Sequence, residues 1–275
     1  MGALFHVNMF WWGECLSQIE LASMLSVLRC GHDVTLYAYE RPKNLPLGVD
    51  WQDAAEILPR DKFMLFKNTQ PALGSDLFRY HLMAQSKGLW IDTDVLLLQP
   101  IVRTQSDVFG WQDAMRINGA VLYLAQKGKL LADIMAFVAE EHPIPAFYSE
   151  RVRHQLATRK QIGKAMHVKD LPWGVWGPDA LTYYISINGL TKTAKSPAVF
   201  YPVHWSHAHH VFSSNHDITE KLQPETMAIH LWNAMLRKAS TATPDATPGK
   251  LMIGAGSFFE TFCRKELGLR VQSET

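Results

Sequence analysis

The stretch SDLFRYHLMAQSKGLWIDTDVLLLQP, residues 75–100, decides how the rest of the chain is read. Ser75 is a helix-capping residue type, a helical apolar pattern follows for about three turns, and Gly88 supplies a stop. Leu89, Trp90 and Ile91 then read as a strand, Asp92-Thr93-Asp94 interrupts it, and Val95 to Leu98 resume an apolar run before Pro100. Carboxylates between two apolar runs need a reason, because burying an unpaired ionised group is costly. In an extended segment, residues two apart turn to the same side, so Asp92 and Asp94 can share one cation. Carboxylate, water and phosphate oxygens form the hard shell preferred by Mg²⁺ or Mn²⁺, ions that bridge a protein to a diphosphate. The plain alternative is two solvated acids in a tight turn, and an acid pair by itself is too short a pattern to decide.

Working outward, residues 5–12, FHVNMFWW, read as a strand, and Ser17-Gln-Ile-Glu20 forms a capping box. The helix it opens carries Ile19, Ala22, Leu25 and Leu28 and stops at Gly31. DVTLYAY, residues 33–39, follows with Val34, Leu36 and Ala38 at period two, which completes a strand-helix-strand unit with a parallel pair. Downstream, residues 129–141 and 150–164 read as helices, and Gly177-Pro178 opens another that ends near Gly189. Strand-like segments recur at 198–203 and 227–232. ASTATPDATPGK, residues 239–250, reads as a linker before a last capped helix at Ser257-Phe-Phe-Glu260.

The composition of the 275 residues, 47% apolar and 19% charged, is that of a globular chain with ample core. A net charge of +1 supplies no field to hold a polyanion, which argues against nucleic acid as a partner. No run is long and apolar enough for a transmembrane segment, and the apolar amino terminus lacks a basic leader, so the expected location is cytoplasmic, free or peripheral to a membrane. Cys15, Cys30 and Cys263 are widely spaced and suggest neither a disulfide framework nor a zinc knuckle.

The composite SDLFRY…GLWIDTDVLLLQP resembles the nucleotide-sugar glycosyltransferases with a DXD sugar-binding region, the group that includes capsular-polysaccharide, mannosyl and α1,4-type transferases. It is more distantly similar to the glucosylating clostridial toxins. Trp11-Trp12-Gly13 followed by Leu16-Ser17 and Glu20, then Gly31-His32, Gly177-Pro178-Asp179-Ala-Leu-Thr182 and His230-Leu-Trp232-Asn233 resemble further family elements and stand in family order. The resemblance implies an α/β, GT-A type Rossmann-like nucleotide-sugar-binding fold with helical additions. It reads residues 1–275 as a single domain, with 1–125 mainly the nucleotide-sugar half, 126–238 mainly the acceptor half and site closure, and 239–275 linker and helix.

It also implies roles residue by residue. Asp92 and Asp94 match the pair that holds ribose, metal and diphosphate, with His230 as a further metal ligand and Mn²⁺ or Mg²⁺ as the cofactor. Asp76 and Arg79 match the pair that grips donor-sugar hydroxyls, and their three-residue spacing puts them on one helical face. Trp11 matches the aromatic that stacks on the nucleobase, and Asn118, Trp232 and Asn233 are expected at the donor. Asp179 is a candidate catalytic carboxylate on the residues themselves, as the base that an inverting course would need. The implied reaction transfers a sugar from a nucleoside-diphosphate sugar, UDP by family habit, to a hydroxyl of a carbohydrate, glycolipid or protein acceptor. Retention of configuration and a setting in polysaccharide biosynthesis are implied with it.

Two other readings stay open. A carbohydrate-binding relic would keep the polar clamp without turnover, and an aspartate-nucleophile phosphatase also places an acid pair after a strand. In the phosphatases that pair stands near the amino terminus and has a later acidic partner; here it arrives at residue 92. His204, His207, His209 and His210, with His216 nearby, are expected on an exposed acceptor-side loop rather than around zinc.

Overall fold

The computed structural model describes residues 2–240 and 252–272. In chain order its elements are β1 (Val7–Phe10), α1 (Gln18–Arg29), β2 (Val34–Ala38), β3 (Val49–Asp53), α2 (Ala72–Ala84), β4 (Leu89–Ile91), β5 (Val95–Leu97), β6 (Val108–Trp111), β7 (Ile117–Tyr123), α3 (Lys129–Val138), α4 (Glu150–Gln161), α5 (Pro178–Ile187), α6 (Pro197–Phe200), β8 (Ala228–His230), α7 (Asn233–Ser240) and α8 (Phe258–Glu266). The chain has the mixed α/β construction, with a mostly parallel sheet and added helices, of a GT-A type Rossmann-like fold. It divides into two compact units, one of Met1–Gln52, Ile91–Arg103 and Lys195–Thr275, the other of Asp53–Trp90 and Thr104–Ala194.

In the first unit β1 runs parallel to β2, Val7 opposite Val34 and Phe10 opposite Tyr37, with β3 on the far side of β2. The crossover is α1, opened by the expected capping box: Glu20 Oε2 accepts from the Ser17 amide at 2.6 Å, and the Ser17 hydroxyl accepts in return. Ile19, Ala22, Met24 and Val27 bury one side of this helix. His32 sits where α1 gives way to β2, with Nδ1 2.8 Å from the Phe5 carbonyl and Nε2 accepting from the Ile101 amide at 3.1 Å. A second, two-stranded ribbon pairs β5 antiparallel with β8, Val95 opposite His230 and Leu97 opposite Ala228. Helix α8 docks through Phe259, whose ring lies 4.8 Å from that of Phe212, and Arg29 reaches Glu266 at 2.7 Å.

In the second unit β7 pairs antiparallel with β6 and carries α5 on one face. Helices α2 and α5 each pack on α3. The Tyr80 hydroxyl, wholly buried, donates to the Trp176 carbonyl at 2.7 Å and ties α2 to the segment before α5. Thr182 Oγ1 accepts from the Ile117 amide at 2.9 Å and donates to the Pro178 carbonyl at 2.6 Å, which pins the start of α5 to β7.

Several local expectations are corrected. Helix α2 begins at Ala72 after Pro71, so Ser75 lies inside the helix and caps nothing; proline ahead of the first turn suffices as the start. The helix ends at Ala84 with Gln85 as its cap, and Ser86 with φ 56° turns the chain before Gly88. Residues 92–94 do not continue a strand: the Val95 amide bonds the Asp92 carbonyl at 3.2 Å, and the turn carries the chain from one sheet into another. The pleat argument for a shared side therefore fails, although the two acids still converge. Strand β2 is buried at all five positions rather than at alternate ones, as a strand covered on both faces must be. Residues 197–200 form helix α6, with Pro197 at its first position, in place of the expected strand from 198. Asn118 stands within β7. Of the expected linker, residues 241–250 lie outside the described residues.

Candidate active site

The antiparallel register of β5 and β8 sets one corner of the first unit. Because Val95 faces His230, the residue before β5 meets the end of β8, and the Leu231 amide bonds the Asp94 carbonyl at 2.8 Å. Trp232 then takes a left-handed conformation, φ 55°, which a bulky side chain adopts only where its surroundings hold it. They do so twice: its indole N–H donates to the Val203 carbonyl at 2.9 Å, and its ring lies 4.0 Å from that of His230. The turn delivers Asn233 as the first residue of α7, and its backbone N–H donates to Asp94 Oδ2 at 2.9 Å.

Ligand atoms of Asp92, Asp94 and His230 all lie within 4.8 Å of one another, and among the described residues no other group of three such side chains is gathered so closely. His230 Nε2 stands 3.3 Å from Asp94 Oδ1, while its buried Nδ1 has no hydrogen-bond partner. Burial pushes the Asp94 carboxyl up, but His230 beside it and the Asn233 amide outweigh that and leave it below the usual carboxylate range. Two carboxylates and an imidazole, one nitrogen of which is otherwise unsatisfied, are a donor set that fits a divalent cation.

Around this corner the structure adds residues that the sequence reading did not assign to the site. Glu20 is fully buried, and its Oε1 accepts from Asn233 Nδ2 at 3.0 Å. The Ser23 hydroxyl donates to the Val95 carbonyl at 2.7 Å, and the Leu97 amide donates to Ser26 Oγ at 2.8 Å. The signal was present, since polar residues at 20, 23 and 26 share the face of α1 that also buries Ile19 and Ala22.

Trp11 follows β1 directly, at the carboxyl end where α/β folds bind ligands. It is half-buried, and its buried Nε1 has no partner. The expected histidine loop is instead a run of 3₁₀ turns over Trp205–Phe212. There the His210 and His216 rings stack at 3.7 Å, with His209 at 4.4 Å and His207 at 5.0 Å from His210.

In the second unit, Asp76 and Arg79 form a pair on α2, Oδ1 to Nη2 3.3 Å, with the guanidinium 5.1 Å above the Trp90 ring. Two glycines shape their surroundings. A Cβ at Gly119 of β7 would stand 2.2 Å from Arg79 Nη1, and one at Gly177 2.7 Å from Asp76 Oδ2. Asn118 is buried, its Nδ2 donating to Gln112 Oε1 and its Oδ1 accepting from the Ala120 amide, both at 2.8 Å. Asp179 lies in the first turn of α5, 3.4 Å from Arg116 Nε. Burial pushes its carboxyl up, in part offset by Arg116, and burial with the Asp179 charge pushes the Tyr148 hydroxyl up to about 12. The expected site residues thus divide between the units: Trp11, Asp92, Asp94, His230, Trp232 and Asn233 in the first, Asp76, Arg79, Asn118 and Asp179 in the second.

Residues 172–252 match the Alpha 1,4-glycosyltransferase conserved region. The match contains the GP…LT segment with Asp179 and the HLWN segment with His230 and Asn233; Asp76, Arg79, Asp92 and Asp94 lie before it. No curated protein matches the chain. The match over residues 172–252, on a fold of the GT-A kind, supports glycosyltransferase activity for the chain.

Proposed function

We propose that the enzyme is metal-dependent and moves a sugar from a nucleoside-diphosphate sugar, UDP being the favoured nucleotide, to an acceptor hydroxyl with retention of configuration. The observation that carries this reading is the convergence of Asp92, Asp94 and His230 within 4.8 Å. These three side chains hold Mn²⁺ or Mg²⁺, and the imidazole among the ligands favours Mn²⁺. When bound, the ion supplies Lewis-acid stabilisation of charge on the departing diphosphate.

The remaining roles fall to the protein. Asp92 also contacts the ribose, and Trp11 offers its ring face to the nucleobase. Asn233, fixed at the head of α7, presents its side chain to the diphosphate. Arg79 and Asp76 bind sugar hydroxyls, and the buried setting of the pair, with Arg79 lying over Trp90, makes it a rigid clamp. Asp179, whose carboxyl is pushed up by burial, is the carboxylate that would take a proton from the acceptor hydroxyl in the alternative, inverting course. The acceptor is a carbohydrate, a glycolipid or a protein.

Thermal melts with UDP test the binding half of the reading. UDP should raise the melting temperature with Mn²⁺ present and far less with EDTA, since a ligand bound to the native state stabilises by mass action. Equal shifts in both conditions would remove the bridging role of the metal. A metal-dependent shift without turnover on any donor would leave a binding relic.

A further inference from the structure

Glu20 departs from ordinary capping chemistry. The glutamate of a capping box normally reaches back to one backbone amide at the protein surface. Here the side chain is fully buried and its carboxyl group accepts from the Ser17 amide through Oε2 at 2.6 Å and, through Oε1 at 3.0 Å, from Nδ2 of Asn233, which is 213 positions away in sequence. Both carboxyl oxygens act as acceptors in these two contacts. The carboxyl group therefore fixes which end of the Asn233 amide points at α1, and leaves the amide oxygen as the end directed elsewhere. The same residue gives its backbone N–H to Asp94, whose other oxygen faces His230.

We propose that Glu20 is a positioning residue for the metal corner: through Asn233 it sets the amide orientation and the seat of α7 against Asp94, so that the acid–acid–imidazole group is ready to receive its cation. The inference rests on the metal reading of Asp92, Asp94 and His230. A glutamine at position 20 tests it well, because it is nearly isosteric. With one oxygen and one NH₂ it can accept from Ser17 or from Asn233, and its own NH₂ then faces the other donor.

Mn²⁺ binding to the full chain, measured by electron paramagnetic resonance of the free ion, reads the effect without any turnover. Glu20→Gln should weaken Mn²⁺ binding by about tenfold or more, the range typical of groups that orient metal ligands. Ser17→Ala serves as the structural control: it removes the hydroxyl half of the capping box and leaves the Glu20–Asn233 contact. It should lower the melting temperature while keeping Mn²⁺ affinity within about twofold, well short of the loss set by an orienting group. In an Asn233→Ala background, Glu20→Gln should add no further weakening, as expected for two residues acting through one contact. Unchanged Mn²⁺ affinity in Glu20→Gln, or equal losses in Glu20→Gln and Ser17→Ala, would overturn the proposal while leaving the metal site standing. Absence of Mn²⁺ binding by the unmodified protein would instead overturn the metal reading, and the proposal with it.

Discussion

The backbone amide of Asn233 donates to the carboxylate of Asp94 at 2.9 Å, joining residues 139 positions apart. The candidate metal ligand is thus also a fixed part of the architecture, held on one oxygen by the head of α7 and faced on the other by His230. Asp94→Asn keeps the volume and one acceptor oxygen but removes the charge. Sugar transfer should fall by about a hundredfold or more, on the order of 3 kcal/mol of transition-state stabilisation. The melting temperature without metal should fall as well, because a carboxyl held below its usual range is stabilised in its charged form by the fold. Transfer at saturating Mn²⁺ beside a metal-free melt checks both, and near-normal transfer would remove Asp94 from the leaving-group site.

Arg79 offers a planar fork that lies over Trp90 and reaches Asp76. Arg79→Lys keeps the charge and loses the fork and the stacking plane. It should retain UDP binding, read by thermal shift, and lose most transfer; unchanged turnover in a folded protein would reduce Arg79 to a partner of Asp76.

Gly119 gives an independent approach to the same clamp. The atom a new Cβ would meet at 2.2 Å is the far end of the Arg79 side chain, so Gly119→Ala should displace the guanidinium rather than break the strand. A displacement of that kind at a positioning group costs about a hundredfold in rate. Comparing kcat with the melting temperature separates the outcomes: a full loss of fold with no folded, inactive species would mean that the glycine serves packing alone.

His32 predicts a pH effect on stability. Its Nδ1 faces the Phe5 carbonyl and its Nε2 accepts from the Ile101 amide, so the native state holds the neutral ring with its proton on Nδ1. Burial lowers its pKa, against smaller upward contributions from the Phe5 carbonyl and Asp33. The unfolded chain therefore takes up this proton at a higher pH than the folded one. Stability from His32 is complete above about pH 6.5 and declines as the pH falls through that value, by at most about 1.4 kcal/mol per pH unit. Denaturant melts at pH 7.5 and 5.5 should show a smaller loss in His32→Gln than in the unmodified protein, and equal losses would contradict the assignment.

The sequence carried the elements whose signals are local. The Ser17–Glu20 box, the Gly31 stop and the Gly177-Pro178 helix start are written in a few adjacent residues, and each stands where expected. The acid pair was legible as residues but not as geometry, because whether Asp92 and Asp94 sit on a strand or a turn depends on β5 leaving one sheet for another. His230 and Asn233 were placed by resemblance; their approach to Asp94 comes from the register of β5 against β8, a pairing across more than a hundred residues that no local pattern encodes. Residues 197–200 were misread because their apolar run suits a strand, while Pro197 after Ser196 starts a helical turn. Glu20 was read as a cap and is one; its second partner lies outside any window of sequence.

The most direct test of metal-dependent transfer from a nucleotide sugar is the release of nucleoside diphosphate when the protein is incubated with an acceptor mixture and a panel of UDP-, GDP- and CDP-sugars. The account predicts release from at least one donor, UDP-linked, with Mn²⁺ present, its loss on addition of EDTA and its return when Mn²⁺ is restored. Release that persists unchanged in EDTA, or none from any donor, would contradict it.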